Sequence, residues 1–418
     1  MPIALPQGSW TGLGGAFLSM TVLIAGTGYC VDMFDFLLFN MVRIKSLTDL
    51  GLTAEQATQA GIQIINAQLA GLIIGAYLWG TLADRFGRKR VVLGSILTYS
   101  LASLLTAFVQ SEWLYGLLRF ITGIGLAGEL GAGIALISEK FSDNRRGLGV
   151  GIFIILGFVG VLLASGAAQV LPWRMCYVVG GFLGFSLLLF RMLIKESLLF
   201  QKSISMVKRR SELNFGGLKP IFANASQRAK YVCGILLLLP TVFIPQILWS
   251  LSPEIAKAKG IIGIDSASML GLGYGCVIAG DLLAIVLAEK LKDRKRTIMI
   301  FFALGCVPIA LFLWGPIWSA EWFYLVGASM GITFGSWVVG ASMIAEMFGT
   351  NVRATATTTI PNFSRGCVIL MNACLMLLKP MLGIQAALTV IGSVIIALAI
   401  LALYFLKDTY GRDLDYVE

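Results

Sequence analysis

The chain has 418 residues, of which 57% are hydrophobic and only 13% charged. A soluble protein of this length needs far more polar residues to cover its surface, so the composition indicates a membrane protein with many spans. The sequence contains no His, and its seven Cys occur singly. This excludes a Ser-His-Asp triad and disfavours a zinc site or a disulfide framework. We therefore expect neither an enzyme nor a bound cofactor.

An apolar run needs about 20 residues to cross about 30 Å of hydrocarbon. The first run is too long for a signal-peptide core and is interpreted as a retained helix. Twelve such runs lie at 15–40, 61–83, 91–110, 113–138, 147–171, 174–195, 229–252, 267–289, 297–318, 322–345, 355–378 and 383–406. The predicted fold class is all-α integral membrane, with twelve transmembrane helices in two pseudo-symmetric six-helix bundles. The bundles span 1–195 and 229–418, and the polar, basic segment 196–228 is a cytoplasmic linker.

The net charge of +10 could suggest nucleic acid, but the basic residues form short clusters between the apolar runs. With both termini inside, 23 of the 32 Lys and Arg residues lie on the cytoplasmic side and six on the other. Cytoplasmic loops of membrane proteins have this excess of positive charge. We expect both termini to be cytoplasmic, the bilayer to be the chain's surroundings, and no nucleic-acid partner.

An internal repeat supports two related halves. Asp84-Arg85 follows the second run, and Glu289-Lys290 follows the eighth in a similar basic segment. Glu139-Lys140-Phe141 follows the fourth run, and Glu346-Met347-Phe348 follows the tenth. The offsets of 205 and 207 residues are close to half of the chain. Parallel repeats predict a pseudo-two-fold axis along the membrane normal, with a substrate path between the halves.

The segment 80–90, Gly-Thr-Leu-Ala-Asp-Arg-Phe-Gly-Arg-Lys-Arg, resembles the signature loop between helices two and three of the major facilitator superfamily. Arg119 with the glycines that follow it is similar to the superfamily's fourth-helix motif. Pro172-Trp173-Arg174 is similar to the Trp-Arg of its sugar and metabolite porters. Asp32-Met33-Phe34-Asp35 resembles the Asp-Gly-Phe-Asp signature of the aromatic-acid:proton symporters, with Met33 in place of the glycine. Close variants of that signature occur in sialic-acid and other metabolite:proton symporters.

The resemblance implies a cytoplasmic gate that closes when the cavity faces outward. Its expected residues are Gly80, Asp84, Gly87, Arg88, Glu139, Arg146, Glu289, Glu346 and Arg353. The alternative for the loop residues is a solvated segment that only sets topology. The Glu–Arg clusters after the fourth and tenth runs are equally compatible with inert surface pairs.

Charges within the predicted spans indicate function, because a charge near the bilayer centre costs at least about 2.5 kcal/mol. Asp32 and Asp35 share one helix face, and two such carboxylates resist joint ionisation, so one holds a proton more readily than in water. We expect proton coupling at Asp32, Asp35 and Glu129. The alternative for Glu129 is an acid that packs in a neutral form.

The buried arginines are expected at the substrate. The superfamily architecture places helices one and four side by side, which lets Arg119 pair with Asp32 or Asp35. An unpaired cavity arginine indicates an anion site, so Arg365 is a candidate for it. Pairing of Arg365 with Asp281 is the alternative, and Arg119, Arg365 and Asp281 are the predicted substrate-binding residues. We expect the acids and arginines to face one cavity between the bundles; a static salt-bridge cluster is the alternative.

These features predict a secondary active transporter in the cytoplasmic (inner) membrane of a bacterium. It is expected to be a monomer that takes up a small organic anion or carboxylate metabolite by alternating access, with protons as the coupling ion and no cofactor. A sugar or zwitterion porter and a drug exporter on the same fold are alternatives. A membrane sensor is a remote one, because the longest predicted loop has 33 residues.

Overall fold

The computed structural model describes residues 20–86, 88–140, 146–193, 221–222, 224–316, 319–349 and 352–411. Every regular element in these ranges is a helix. The first half contains α1 (Met20–Asp49), α2 (Ala54–Phe86), α3 (Arg88–Thr106), α4 (Glu112–Leu126), α5 (Glu129–Lys140), α6 (Arg146–Val170) and α7 (Trp173–Leu193). The second half contains α8 (Ala225–Phe243), a π-helical segment (Ile244–Trp249), α9 (Ser252–Ala258), α10 (Ser266–Leu291), α11 (Arg294–Trp314), α12 (Ala320–Thr333), α13 (Ser336–Met347), α14 (Arg353–Gly366) and α15 (Val368–Phe405). Of the predicted linker 196–228, only residues 221–222 and 224–228 belong to the described part.

Nine helical stretches in the described ranges are long and apolar enough to cross a membrane. The ninth, Thr355–Phe405, covers the predicted eleventh and twelfth spans, and it turns at Gly383, where φ is 77°. The apolar part of α3 is short, at Val92–Thr106. The predicted fourth span is divided into α4 and α5, which have 15 and 12 residues. Helices thus lie at all twelve predicted positions, and twelve complete crossings stay a prediction.

The breaks in the helices repeat in the two halves. α4 ends at Leu126 and α5 begins at Glu129, while α12 ends at Thr333 and α13 begins at Ser336. Glu129 and Ser336 are 207 residues apart, which is the offset of the repeat found in the sequence. A break within the apolar layer frees backbone groups that must find partners in the protein. The two breaks therefore mark the depth at which polar chemistry is expected.

The halves pack first within themselves and then across one interface. In the first half α1 packs on α6, α2 on α4 and α3 on α7, and in the second α10 packs on α12 and α8 on α15. A Cβ atom on Gly123 of α4 would collide with the carbonyl group of Gln68 on α2, so glycine permits this close approach. Between the halves, α6 packs on α10, and both α2 and α5 pack on α14.

α1 is longer than its predicted span, 15–40. It continues to Asp49, nine residues beyond the predicted end of the span. Arg43, expected to lie outside the helix, is buried on α1 and donates to the carbonyl oxygen of Ser250 and to Glu254 Oε1, the latter at 2.6 Å. The sequence rule that a charge ends a span fails where a distant acid neutralises that charge.

Candidate functional site

A small cavity of about 20 Å³ lies between the two halves. The break between α12 and α13 and the π-helical segment both contribute to its wall, where Pro245 has no N–H to donate and helps to define the irregular backbone. Its lining residues are Met33, Phe36, Phe158, Thr241, Val242, Pro245, Gln246, Tyr274, Phe334, Trp337 and Arg365. Most of this wall is aromatic or aliphatic, and Arg365 is its one charged residue among the described residues.

Arg365 is buried on α14 and contacts the first half across the cavity. One of its amino groups donates to the Tyr29 hydroxyl at 3.2 Å and approaches the Met33 sulfur at 3.8 Å. The guanidinium lies 4.7 Å from the ring centre of Phe36 and 5.6 Å from that of Trp337. No described acidic side chain forms an ion pair with it. The guanidinium therefore has donors left for an anion.

Asp281, the alternative partner of Arg365, does not pair with it. Asp281 is fully buried on α10, does not line the cavity, and neither of its carboxylate oxygens has a hydrogen-bond partner among the described residues. It lies seven residues after Tyr274, which places the two on the same face of the helix, two turns apart. The predicted role of Asp281 in substrate binding stays a prediction.

Asp35 and Arg119 pair as the helix-one and helix-four interpretation predicts. The guanidinium of Arg119 lies 3.5 Å from Asp35 Oδ1, which also accepts a hydrogen bond from Ser103 at 2.7 Å. Arg119 donates to Thr122 at 2.9 Å and lies over the Tyr177 ring at 4.9 Å. Both charges are almost fully buried, and Asp35 Oδ2 has no partner within the described part of the chain.

The expectation that these charges face the shared cavity is wrong. Met33 and Phe36 on α1 line the cavity, whereas Asp32, Asp35 and Arg119 lie inside the first bundle. The sequence shows that Asp32 and Asp35 share a face of α1 but cannot show which neighbour that face meets. The structure separates a candidate substrate site from a buried acidic site, with α1 between them.

Asp32 and Glu129 lie deeper in the same bundle. Asp32 is 4% exposed, and neither of its oxygens has a hydrogen-bond partner among described residues. Glu129 is in the first turn of α5 and pairs with Arg191 at 3.0 Å. Arg191 is not among the residues predicted from the sequence, because it and Glu129 are 62 residues apart and no local pattern connects them.

The structure describes only some of the predicted gate residues. Gly87 lies outside the described residues. The surroundings of Gly80 and the side chains of Asp84, Arg88, Glu139 and Arg146 also lie outside the described part. Arg353 is buried and donates from Nε to the carbonyl oxygen of Phe348 at 3.1 Å.

In the second half, Arg294 bridges two predicted gate acids. It pairs with Glu346 at 3.1 Å and lies 4.0 Å from Glu289. Thr409 donates to Glu346 at 2.7 Å, and the Tyr410 hydroxyl donates to Glu289 at 2.8 Å. Burial raises the pKa of Tyr410, so its hydroxyl stays protonated and able to donate at neutral pH. The repeat in the sequence indicated this segment, although it did not single out Arg294 or the C-terminal residues.

Two further polar contacts join the outer ends of the halves. The amide nitrogen of Asn40 donates to the Gln246 side chain at 3.0 Å, and the Thr58 hydroxyl donates to Glu254 at 3.1 Å. With Arg43 and Glu254, they close the cavity on the predicted outer side. These contacts join residues about 200 positions apart, so no local sequence signal could have found them.

Comparison with known proteins gives consistent results. The family model described as "Major Facilitator Superfamily" matches residues 24–370. A "Putative metabolite transport protein" of Haemophilus influenzae is 28% identical over 356 residues, covering 82% of this chain and 84% of its own. A "Putative niacin/nicotinamide transporter NiaP" of Bacillus subtilis is 27% identical over 348 residues, with the same coverage, 82% and 84%. The solved structure of the proton:xylose symporter XylE aligns with a TM-score of 0.72 at 16% identity, covering 97% of this chain and 98% of that one, and so shows a shared fold.

Proposed function

Because the chain belongs to the major facilitator superfamily, we propose that it is a symporter that takes up a small aromatic carboxylate together with protons. The chain is a transporter and not an enzyme, as its composition predicted, and it is an integral protein of the inner membrane. The substrate class, the coupling ion and the direction of transport are the proposed parts. We also propose that it acts as a monomer with both termini in the cytoplasm.

The observation that supports the substrate class is the environment of Arg365. A buried guanidinium without an acidic partner is costly, and a carboxylate that accepts two parallel hydrogen bonds compensates that cost. Phe36 and Trp337 present ring faces beside the guanidinium, where an aromatic ring can stack once its carboxylate is held.

A neutral sugar fits this wall less well. Among the described lining residues, the uncharged side chains best suited to hydrogen-bond the hydroxyl groups of a sugar are those of Thr241, Gln246 and Tyr274. A sugar would leave the guanidinium without a counter-charge. Drug export on the same fold remains the alternative for a large apolar substrate.

Proton coupling is supported by Asp35 and Arg119. At 3.5 Å the ion pair is loose, and one carboxylate oxygen has no partner in the described region, so the acid can accept a proton without losing a hydrogen bond there. Protonation cancels the attraction to Arg119 and lets α1 move. Since Met33 and Phe36 of the same helix line the cavity, that movement changes the substrate site.

The test uses purified protein in proteoliposomes with an alkaline interior. Labelled nicotinate should accumulate, a protonophore should abolish accumulation, and nicotinamide, which differs only in the neutral amide, should not compete. Arg365→Lys should retain part of the uptake, because lysine keeps the charge without the planar two-point geometry of the guanidinium. Arg365→Met should lose the uptake, because methionine has neither. Equal competition by nicotinamide and nicotinate would contradict the carboxylate proposal, and uptake that ignores the proton gradient would contradict coupling.

A further inference from the structure

The inward face of α1 meets three polar levels inside the first bundle. Asp35, three residues beyond Asp32, pairs with Arg119 at the upper level. Asp32 occupies the middle level. Gly28, one helical turn before Asp32, packs against the Glu129–Arg191 pair at the lower level, where a Cβ atom would collide with both side chains. Residues four apart on a helix are about 6 Å apart, so the levels follow one another closely.

Asp32 faces titratable groups from several helices. They are Asp35 on α1 itself, Tyr99 on α3, Glu129 on α5 and Arg191 on α7. The Tyr99 hydroxyl is close enough to donate to Asp32, although neither group has a well-formed hydrogen bond with a described residue. A buried carboxyl group with so little compensation costs stability, so its position favours transient occupancy by a proton.

The lower pair connects this interior to the cytoplasmic side. The two terminal nitrogens of the Arg191 guanidinium lie 3.0 and 3.2 Å from the two carboxylate oxygens of Glu129. The Glu129 side chain is 3% exposed, whereas that of Arg191, in the last turn of α7, is 20% exposed. By the predicted topology, the last turn of α7 lies at the cytoplasmic surface. Arg191 therefore links the buried acid to the exposed surface near the end of α7.

We propose that Glu129 is the proton-release group of this transporter, positioned by Arg191, and that protons leave Asp32 through it on a path separate from the substrate cavity. In the transfer, the O–H bond of Asp32 breaks as an O–H bond on Glu129 forms, directly or through one water. The total charge of the two carboxyl groups does not change. The proton then passes to cytoplasmic water. This inference depends on the proposed proton coupling.

The separation of the two paths follows from the sides of α1. Met33 and Phe36 line the cavity, while Asp32 lies one helical turn beyond Gly28, which packs against Glu129 inside the bundle. Substrate release to the cytoplasm and proton release can then occur in either order. Exchange of substrate across the membrane needs only the protonated carrier, whereas net accumulation needs the proton to leave.

The experiment measures both processes in proteoliposomes with labelled nicotinate. Glu129→Gln should lower gradient-driven accumulation at least about tenfold, as for the loss of a proton-transfer group, and leave exchange unchanged within about twofold. Because this variant leaves Arg191 near a neutral amide, the double variant Glu129→Gln/Arg191→Gln is measured as well, and the same selective loss is expected.

Glu346→Gln is the matched comparison, since Glu346 is a carboxylate of the same burial as Glu129, 3% exposed, and pairs with a guanidinium outside the first bundle. It should change exchange and accumulation in the same proportion. The proposal is overturned if both processes survive in the folded Glu129 variants, or if both are lost together. If the unsubstituted protein itself shows no stimulation by the proton gradient, proton coupling fails instead, so the two failures are distinguishable.

Discussion

The guanidinium of Arg365 donates to the hydroxyl of Tyr29 across the cavity, at 3.2 Å, and so links α14 of the second half to α1 of the first. The same guanidinium is the proposed anchor of the substrate carboxylate. The guanidinium has other donors, but a carboxylate that binds in a two-point contact through this same amino group competes with the Tyr29 hydroxyl for it. The contact therefore stabilises a closed, empty cavity and opposes substrate binding.

Tyr29→Phe should tighten substrate binding. Loss of the hydroxyl removes the competing acceptor, and a hydrogen bond to a charged group contributes about 1.5–3 kcal/mol, so at least a several-fold lower Kd for nicotinate is expected. Isothermal titration of detergent-solubilised protein measures it. Tyr274→Phe alters a cavity residue that forms no hydrogen bond with Arg365 in the described part of the chain, and should change the Kd less. Weaker binding in Tyr29→Phe would show that the hydroxyl contacts the substrate.

Glu254→Gln should open the outer side of the cavity. The variant leaves Arg43, which is 1% exposed, without its acid, and removing one partner of a buried pair costs about 3–5 kcal/mol. The closed state loses this energy, so outward-open molecules become more frequent. Spin labels can be placed at Gln59 and Ala258, which are exposed near the outer ends of α2 and α9. Double electron–electron resonance should show longer distances between the labels in the variant than in the unsubstituted protein.

The chain provides a control for that measurement. Asp49 and Arg174 form an outer ion pair at 3.8 Å within the first half, with side chains 57% and 37% exposed. Exposed pairs contribute about 0–1 kcal/mol, so Asp49→Asn should leave the distance distribution unchanged. An equal shift in both variants would contradict the role of the inter-half pair.

The two acids of α1 should respond differently to amide substitution. Asp35→Asn leaves the fully buried Arg119 without a counter-charge and should lower stability by about 3 kcal/mol. Asp32→Asn removes a carboxyl group that has no well-formed hydrogen bond with a described residue and keeps an oxygen to which Tyr99 can donate, so it should not lower the unfolding temperature. Thermal unfolding followed by tryptophan fluorescence compares the two. A larger loss in Asp32→Asn would mean that Asp32 has a structural partner.

Much of the fold follows from sequence because lipid imposes strict rules on composition. Runs of apolar residues fix where helices lie, and the repeat of Glu139 in Glu346 predicts two related halves. The pair of Asp35 with Arg119 was also predictable, because it needs only the neighbourhood of two helices.

The orientation of each helix about its axis was not predictable in the same way. Hydrophobicity does not separate a lipid-facing side from a protein-facing side when both are apolar. Met33 and Phe36, rather than Asp32 and Asp35, therefore face the cavity without any signal in the sequence. The helix breaks at Gly128 and Gly335 were missed for a related reason, since glycine is frequent throughout membrane helices.

Thr409→Val should loosen the contact of the C-terminal segment with the inner side of the second half. Thr409 is 1% exposed and donates to Glu346, which also pairs with Arg294. Losing one hydrogen bond to a charged acceptor costs about 1.5 kcal/mol, so local opening becomes about tenfold more frequent. Hydrogen–deuterium exchange of residues 406–411 should accelerate accordingly. Thr98→Val is the control, because the Thr98 hydroxyl donates to the carbonyl oxygen of Gly94 within its own helix. Faster exchange of residues 406–411 in Thr98→Val would contradict the local origin of the effect.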